Sequence, residues 1–187
     1  MNPITTDVWL DRECEVPIRK VLSPNCNPRP DHTDISLLVI HNISLPAGEF
    51  GGECVEHLFT NCLNCEAHPD FRDLQGVEVS SHFFIDRQGD VTQFVPLNLR
   101  AWHAGVSVFD GCSQCNDFSI GIELEGTDIC PYTEHQYQSL AKISLAIMTA
   151  YPLIDTSRIV GHCDIAPGRK TDPGGAFDWA YYHRLLR

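Results

Sequence analysis

The chain has 187 residues, of which 43% are hydrophobic and 20% are charged, a composition that is ordinary for a soluble globular protein. Its 25 acidic residues outnumber its 13 lysines and arginines and give a formal net charge of −12, which argues against a nucleic acid or an anionic membrane as a partner. A chain of this length can bury a core large enough to fold without cross-links, so we expect a single domain.

The expected location is the cytoplasm. Residues 1–20 contain no apolar run typical of a secretory signal, and no stretch is long and apolar enough to span a bilayer. Nine cysteines are an odd number, and free thiols in a reducing compartment are the simplest interpretation. The pairs Cys62/Cys65 and Cys112/Cys115 have zinc-like spacing, but the gap between the pairs is far longer than in compact zinc ribbons, so we favour buried or loop thiols.

The first 35 residues are expected to form an irregular arm that packs on the rest of the chain. Pro24, Pro28 and Pro30 interrupt any helical or strand periodicity in this stretch. Residues 36–187 contain no linker and no internal repeat, and we expect them to fold as one domain.

Strand-like and helical patterns are mixed along this domain. Residues 36–40 form an apolar run that predicts a central strand and ends in the polar pair His41 and Asn42. The next predicted elements are a helix over 53–61, a hairpin of 80–86 with 91–96, and a strand over 119–126. A helix that is capped by Thr133 and Gln136 and ended by Pro152 follows, and a helix over 177–186 closes the chain. They predict an α/β fold, a single domain with a mixed central β-sheet flanked by helices.

A segment rich in Pro and Gly, residues 161–175, predicts a shaped surface loop that carries functional side chains. Lys170 and Asp172 are two residues apart, and Pro173 favours an extended backbone at Asp172, so both side chains should leave from the same side. The loop is long enough to fold back and bring His162 and Asp172 onto one metal ion, which then needs a third ligand.

His41 is the favoured third ligand because it ends a buried strand, which is a rigid platform. Two imidazoles and one carboxylate leave the fourth position of a tetrahedral zinc ion open, as in catalytic rather than structural zinc sites. His82 and His103 are alternative ligands. His82 lies inside a predicted strand, however, and His103, beside Trp102, suits a substrate contact or a hydrogen bond to a metal ligand.

Glu123 is the favoured general base. It lies on the polar face of the strand predicted over 119–126, next to Gly121, whose missing side chain would let a ligand approach. Glu125 lies on the same face nearer the strand end and stays an alternative. Lys170, beside the proposed metal, would stabilise the negative charge that develops on the carbonyl oxygen when an amide is attacked.

Six segments of the chain are together typical of one enzyme family. They are LVIHNISLP (38–46), GEFGG (48–52), RAWHAGVS (100–107), CNDFSIGIELEGTD (115–128), GHC (161–163) and KTDPG (170–174). Through them the sequence resembles the zinc-dependent N-acetylmuramoyl-L-alanine amidases of the AmpD type, which share a fold with phage lysozymes and peptidoglycan-recognition proteins. The segments cover nearly the whole predicted domain, so the resemblance implies a peptidoglycan-recognition-protein-like amidase domain over residues 36–187.

The resemblance also implies roles for individual residues. In the family, the residues that match His41, His162 and Asp172 bind zinc, one ion per chain. The residue that matches Glu123 is the proton acceptor, and the one that matches Lys170 stabilises the transition state. These are the residues that the sequence pattern favours independently.

The implied reaction is hydrolysis of the amide that joins the lactyl group of 1,6-anhydro-N-acetylmuramic acid to L-alanine. The fragments come from imported cell wall that is recycled in the cytoplasm, and in bacteria with inducible β-lactamase the level of uncleaved muropeptide links this step indirectly to resistance. We expect a monomer that acts on a small-molecule muropeptide, with no nucleic-acid or membrane partner. The residues expected to contact the substrate are Asn42, Trp102, His103 and Arg169.

Three points stay open. Family members carry arginines that hold the acidic stem peptide where this chain has Glu78 and Gln114, so the preference for the peptide can differ. A non-catalytic peptidoglycan-recognition protein has the same fold, although such relatives characteristically lack a metal ligand and here all three positions are filled. A thiol hydrolase with Cys163 as nucleophile is disfavoured because that side chain should point into the core, opposite to its neighbour.

Overall fold

A six-stranded mixed β-sheet is the centre of the fold. The computed structural model describes residues 8–10, 14–30 and 35–187. The strands are β1 (Ile18–Lys20), β2 (Cys26–Pro28), β3 (Leu37–Ile43), β4 (Phe83–Ile85), β5 (Val91–Gln93), β6 (Leu99–Ala101), β7 (Val108–Phe109), β8 (Cys112–Ser113), β9 (Ser119–Glu125) and β10 (Ile159–Gly161). The helices are α1 (Cys54–Phe59), α2 (Glu134–Ala150), α3 (His162–Ile165) and α4 (Trp179–Leu185), with short 3₁₀ segments at Pro69–Leu74, Cys115–Asp117 and Thr156–Arg158.

The strand order of the main sheet is β1, β5, β4, β9, β3, β10. Neighbouring strands are parallel except for β4 and β5, which form the predicted hairpin with Ile85 opposite Val91. Two further strand pairs, β2 with β6 and β7 with β8, lie outside this sheet. The predicted α/β fold with a mixed central sheet is therefore confirmed.

The larger core lies between one face of the sheet and helices α2 and α4. Successive strand side chains alternate between faces, so the even-numbered residues of β3 and β9 point toward these helices. The predicted capping box begins α2, because Thr133 Oγ1 accepts a 3.1 Å hydrogen bond from Gln136 N and Gln136 Oε1 accepts one of 3.0 Å from Thr133 N. Fully buried side chains that form this core include Leu38, Ile40, Ile120, Ile122, Leu124, Leu140, Ile143, Ile147 and Tyr182.

The opposite face of the sheet carries a row of functional and polar side chains. The strand register places His41, Glu123, Phe84, Thr92 and Arg19 side by side on β3, β9, β4, β5 and β1. Two smaller apolar clusters, one around α1 and one beneath α3, pack on this face on either side of the row. The row is therefore the part of the sheet that can present a site.

Three predictions about local structure were wrong. The N-terminal stretch is not irregular throughout, because β1 joins the edge of the main sheet and β2 pairs with β6. Residues 161–175 are not all loop, because α3 forms one helical turn at their start. The polar face predicted for the strand over 119–126 does not lie outside the protein interior, because all residues of β9 are buried.

Part of the predicted N-terminal arm and the predicted domain boundary are not tested by the structure. Residues 1–7, 11–13 and 31–34 of the expected arm lie outside the described residues, and the domain boundary at residue 36 stays a prediction. In the part of the chain that the structure describes, no helix is both long enough and apolar enough to cross a membrane.

Candidate active site

Three side chains that are far apart in the sequence meet on the polar face of the sheet. His41 lies near the end of β3, His162 is the first residue of α3, and Asp172 lies in the segment after α3. The Nδ1 atoms of His41 and His162 are 2.9 Å apart, and Asp172 Oδ2 lies 3.2 Å from the first and 3.0 Å from the second. Over residues 8–10, 14–30 and 35–187, this is the one group of three or more potential ligand side chains close enough to share a metal ion.

The sheet explains why two of these residues are neighbours. In the parallel pairing of β3 with β10, Gly161 lies opposite Ile40. His162 follows Gly161 and His41 follows Ile40, so the two histidines are neighbours. Asp172 returns to the same point because its carbonyl oxygen accepts a 2.9 Å hydrogen bond from the backbone N–H of Cys163.

The donor atoms fit a zinc ion. Tetrahedral zinc with bonds of about 2.0–2.2 Å keeps its ligand atoms roughly 3.3–3.5 Å apart, close to the 2.9–3.2 Å separations seen here. The second nitrogen of each ring has its own partner, since His41 Nε2 lies 2.9 Å from His103 Nδ1 and His162 Nε2 donates to Ala104 O at 3.1 Å. Both imidazoles are thus held with Nδ1 turned toward the space between the three donor atoms, where a metal ion would bind.

The charge states of His41 and Asp172 also suit metal binding. Burial lowers the pKa of His41 to about 4, so its imidazole is neutral at pH 7. Burial acts to raise the pKa of the Asp172 carboxyl, but hydrogen bonds with His162 and His41 outweigh it and hold that pKa below its ordinary value. Lys170 is exposed next to the cluster, and its positive charge acts on both His41 and Glu123.

Glu123 lies directly opposite His41 on the neighbouring strand β9. Its Oε1 is 3.9 Å from His41 Nδ1, and its buried Oε2 has no hydrogen-bond partner among the described residues. Burial raises the pKa of this carboxyl well above its ordinary value, the negative charge of Asp172 raises it further, and Lys170 opposes both. An unpartnered buried carboxylate oxygen beside a candidate metal site is the geometry expected of a general base.

Glu125, the alternative base, holds two loops in place. Its Oε1 accepts a short hydrogen bond from the backbone N–H of Gly51, and its Oε2 accepts one of 3.1 Å from the N–H of Arg87. Both carboxylate oxygens are therefore engaged by the backbone, which leaves Glu123 as the better candidate for proton transfer.

Asn42 has hydrogen-bond partners within the protein, and its expected contact with substrate stays a prediction. It follows His41 in β3, so its side chain points to the opposite face of the strand. Its Nδ2 donates to Asp128 Oδ1 at 2.9 Å and to Pro173 O at 3.1 Å. Asn42 therefore fastens the segment that carries Asp172 to the sheet.

His103 contacts the candidate ligand His41, which is one of its two expected roles, and its contact with substrate stays a prediction. Its ring is buried, with Nδ1 against His41 and Nε2 lying 3.1 Å from Ser119 Oγ. It occupies the space beside Gly121 that was expected to admit a ligand, since a Cβ built on Gly121 would lie 2.6 Å from His103 Cγ. The glycine makes room for a histidine of the protein itself.

Trp102 and Arg169 are two expected substrate contacts that are not buried. Trp102 is partly exposed, and its Nε1 donates to Asn27 Oδ1 at 2.7 Å. Arg169 is exposed, but its Nη2 donates to Ala104 O at 2.6 Å and to Val106 O at 2.8 Å. Both side chains are thus positioned by the protein, and their contact with substrate stays a prediction.

Sequence reasoning missed the residues that hold the Asp172 segment from the other side. Tyr132 Oη donates to Pro173 O at 2.8 Å, and Asp128 O accepts from Ala176 N at 2.9 Å. Gly174 has a φ of +79°, and a Cβ there would lie 2.1 Å from Asp128 Cα. The Pro-Gly-Gly sequence was the one available signal, because such a run indicates a tight backbone approach.

Comparison with models of protein families assigns the chain to a known enzyme family. The family model described as N-acetylmuramoyl-L-alanine amidase matches residues 31–175. The chain belongs to the N-acetylmuramoyl-L-alanine amidase family. The resemblance seen in the six sequence segments is therefore confirmed, and the chain is an N-acetylmuramoyl-L-alanine amidase.

Two curated relatives show how similar this amidase is to characterised members. The 1,6-anhydro-N-acetylmuramyl-L-alanine amidase AmpD of Citrobacter freundii is 54% identical over 168 residues, which cover 90% of this chain and 89% of the relative. The protein of the same name from Escherichia coli strain K12 is 54% identical over 168 residues, covering 90% of this chain and 91% of the relative.

Solved structures of amidases share the fold. A crystal structure of a selenomethionine AmpD derivative matches with a TM-score of 0.88 at 53% identity, over 91% of this chain and 94% of that chain. AmiD from E. coli, solved with anhydro-N-acetylmuramic acid-L-Ala-D-γ-Glu-L-Lys, matches with a TM-score of 0.62 at 28% identity, over 85% of this chain and 60% of that chain.

Proposed function

We propose that the chain is a zinc-dependent amidase that hydrolyses the bond between 1,6-anhydro-N-acetylmuramic acid and L-alanine of the stem peptide during peptidoglycan recycling. The proposal rests on one observation above all, which is that His41, His162 and Asp172 converge beside the unpartnered carboxylate oxygen of Glu123. The names of the AmpD relatives and the muropeptide bound to AmiD support the choice of substrate.

In this proposal His41 and His162, each through Nδ1, and Asp172, through a carboxylate oxygen, hold one zinc ion. When bound, zinc supplies a Lewis acid that polarises the amide carbonyl and makes water more acidic at neutral pH. The remaining chemistry belongs to side chains of this chain.

Glu123 acts as the base and then as the acid. It takes a proton from the water whose oxygen attacks the carbonyl carbon, and its raised pKa makes it able to hold that proton. When the carbon–nitrogen bond breaks, it returns the proton to the departing amino group of L-alanine. The products are the lactyl carboxylate of the sugar and a peptide with a free amino terminus.

Lys170 stabilises the negative charge that builds up on the carbonyl oxygen during this attack. Its side chain is exposed, and among the described residues it has no ion-pair partner, so its charge is available to the substrate. Trp102 and Arg169 are proposed to contact the substrate.

A groove of about 820 Å³ lies farther along the same face of the sheet, beginning at Phe84, one strand from Glu123, and extending across β5 to Arg19. The candidate metal ligands, Glu123 and Lys170 do not line it, so it adjoins the candidate site without containing it. Volumes of this order are typical of sites for small ligands.

We further propose a cytoplasmic location and a monomeric state. All nine cysteines are free thiols in the structure, which supports a reducing compartment. Burial raises the pKa of the Cys163 thiol, which makes it a poorer nucleophile and does not support the alternative of a thiol hydrolase.

The test is turnover of anhydro-N-acetylmuramic acid-L-Ala-D-γ-Glu-L-Lys by the purified protein, followed by mass spectrometry of both products. We expect cleavage by the zinc-loaded protein, loss of cleavage after chelation, and recovery when zinc is returned. The Cys163→Ser variant should cleave at the wild-type rate. Zinc-loaded protein that binds the muropeptide without cleaving it would instead identify a recognition protein, and chelator-resistant cleavage that is lost in Cys163→Ser would identify a thiol hydrolase.

A further inference from the structure

His103 lies on the far side of the candidate ligand His41, next to the ring nitrogen Nε2 that does not face His162 and Asp172. Its Nδ1 is 2.9 Å from His41 Nε2, and the two rings are nearly perpendicular, with an angle of 88° between their planes. His103 as a whole is 9% exposed. The sequence left three roles open for His103, namely a substrate contact, an alternative ligand and a hydrogen-bond partner of a ligand, and it did not indicate which ligand His103 would contact.

The hydrogen-bond partners fix which nitrogen carries the proton. If His41 uses Nδ1 for the metal, its hydrogen is on Nε2 and is donated to Nδ1 of His103. His103 then carries its own hydrogen on Nε2, where Ser119 Oγ accepts it at 3.1 Å. Both imidazole N–H donors in this chain of three residues therefore meet an acceptor, and the chain points in one direction.

The backbone around His103 is held equally firmly. Asn116 Oδ1 accepts from the N–H of His103 at 3.1 Å and from the N–H of Ala104 at 2.7 Å. Because Ala104 O is the acceptor for His162 Nε2, the dipeptide 103–104 contacts both candidate ligand imidazoles. One amide side chain therefore aligns the partners of both rings.

The opposite strand is shaped to receive the ring. Gly121 in β9 has no side chain, and any Cβ there would overlap the His103 ring, with Nδ1 2.7 Å away. The ring position thus depends on a glycine in the strand that also carries Glu123.

We propose that His103 is a positioning residue of the metal site, which accepts the Nε2 proton of His41 and so fixes the tautomer and the ring plane in which His41 presents Nδ1. The inference rests on the proposed zinc site. Partners of metal-bound histidines typically change metal affinity by about 10–100-fold when they are removed.

The test compares zinc affinity in three variants by competition with a chromogenic chelator. His103→Phe keeps a ring but removes the acceptor, whereas His103→Asn places an amide oxygen close to the position of Nδ1. His82→Asn is the matched control. His82 is a fully buried histidine that packs edge-on against the His103 ring and hydrogen-bonds with Gly121 N, Leu99 O and Arg29 Nη2, but it contacts neither candidate imidazole ligand.

We expect His103→Phe to bind zinc about 10–100-fold more weakly than wild type, His103→Asn to recover most of the affinity, and His82→Asn to bind like wild type. Wild-type affinity in His103→Phe, or equal losses in His103→Phe and His103→Asn, would overturn the inference. Absence of zinc binding by the wild-type chain would instead overturn the proposed function.

A measurement on the wild-type zinc-loaded protein keeps the inference testable if His103→Phe does not fold. Nitrogen-15 NMR of the imidazoles should show a proton on His41 Nε2 and an unprotonated Nδ1 in His103. A proton on Nδ1 of His103 would contradict the proposed hydrogen bond.

Discussion

Glu123 and His41 are register partners in the parallel pairing of β9 with β3, and Glu123 Oε1 lies 3.9 Å from His41 Nδ1. One strand pair therefore delivers a candidate base and a candidate metal ligand to the same point. Both residues belong to regular elements at the centre of the sheet, which hold side chains more accurately than loops do. The two roles can be separated by mutation because neither side chain supports the other's backbone.

Replacement of Glu123 by Gln should abolish most turnover without loss of zinc. The substitution removes a proton acceptor but keeps the size of the side chain, so we expect kcat to fall by about 10²–10⁴-fold. Turnover and zinc content should be measured on the same preparation.

Glu125→Gln is the matched control for this variant. Glu125 accepts hydrogen bonds from the backbone of two loops, so its replacement should lower stability and leave the proton transfer intact. The assignment of the base is wrong if Glu123→Gln keeps wild-type turnover, or if that variant loses its zinc.

Replacement of Asp172 by Ala should weaken zinc binding. The carboxylate is the one anionic ligand proposed, and the two imidazoles alone would hold the ion less tightly. We expect added zinc to raise the unfolding temperature of the wild type, since a ligand that binds the folded state stabilises it. The shift should be much smaller in Asp172→Ala, and an equal shift in both proteins would remove Asp172 from the ligand set.

Replacement of Gly174 by Ala should destabilise the segment that carries Asp172. The backbone has a φ of +79° there, and the new Cβ would meet Asp128 Cα at 2.1 Å. The positive φ alone costs a non-glycine residue about 1–3 kcal/mol, and the overlap adds to this loss in the free energy of unfolding.

Gly175→Ala provides the control for this prediction. A Cβ at Gly175 meets no atom within 4 Å, so urea unfolding of this variant should resemble that of the wild type. Equal stability of the two alanine variants would show that the approach of Gly174 to Asp128 does not constrain the segment.

Replacement of Asn42 by Ala should lower stability rather than substrate affinity. The variant loses hydrogen bonds to Asp128 and Pro173, each typically worth about 0.5–1.5 kcal/mol, while Pro173 O keeps the hydrogen bond from Tyr132 Oη. With saturating zinc, KM for the muropeptide should stay at the wild-type value. A raised KM with unchanged stability would restore the expected role of Asn42 in substrate binding.

The main sheet and the cluster of possible ligands could be predicted from the sequence because their signals are local. The apolar run before His41 indicates a buried strand, and the capping box at Thr133 marks the start of α2. The segment after His162 carries turn residues that indicate a return of the chain, and the structure brings Asp172 back beside it.

The contacts of Asn42 and His103 within the protein are not encoded in the local sequence. Asn42 adjoins His41 in the sequence but lies on the other face of β3, a consequence of strand alternation that the family resemblance alone did not convey. The position of His103 depends on Gly121, which is 18 positions later in the chain and leaves space for the His103 ring on strand β9. Short strands such as β1 and β2 carry too few residues for a periodic pattern to show.

The most direct test of the central claim is the position of zinc in a crystal of the zinc-loaded protein, located by anomalous diffraction at the zinc absorption edge. We predict one peak about 2.0–2.2 Å from His41 Nδ1, His162 Nδ1 and an Asp172 carboxylate oxygen. A zinc peak elsewhere in the molecule, with these three side chains free of metal, would contradict the proposed site and the mechanism built on it.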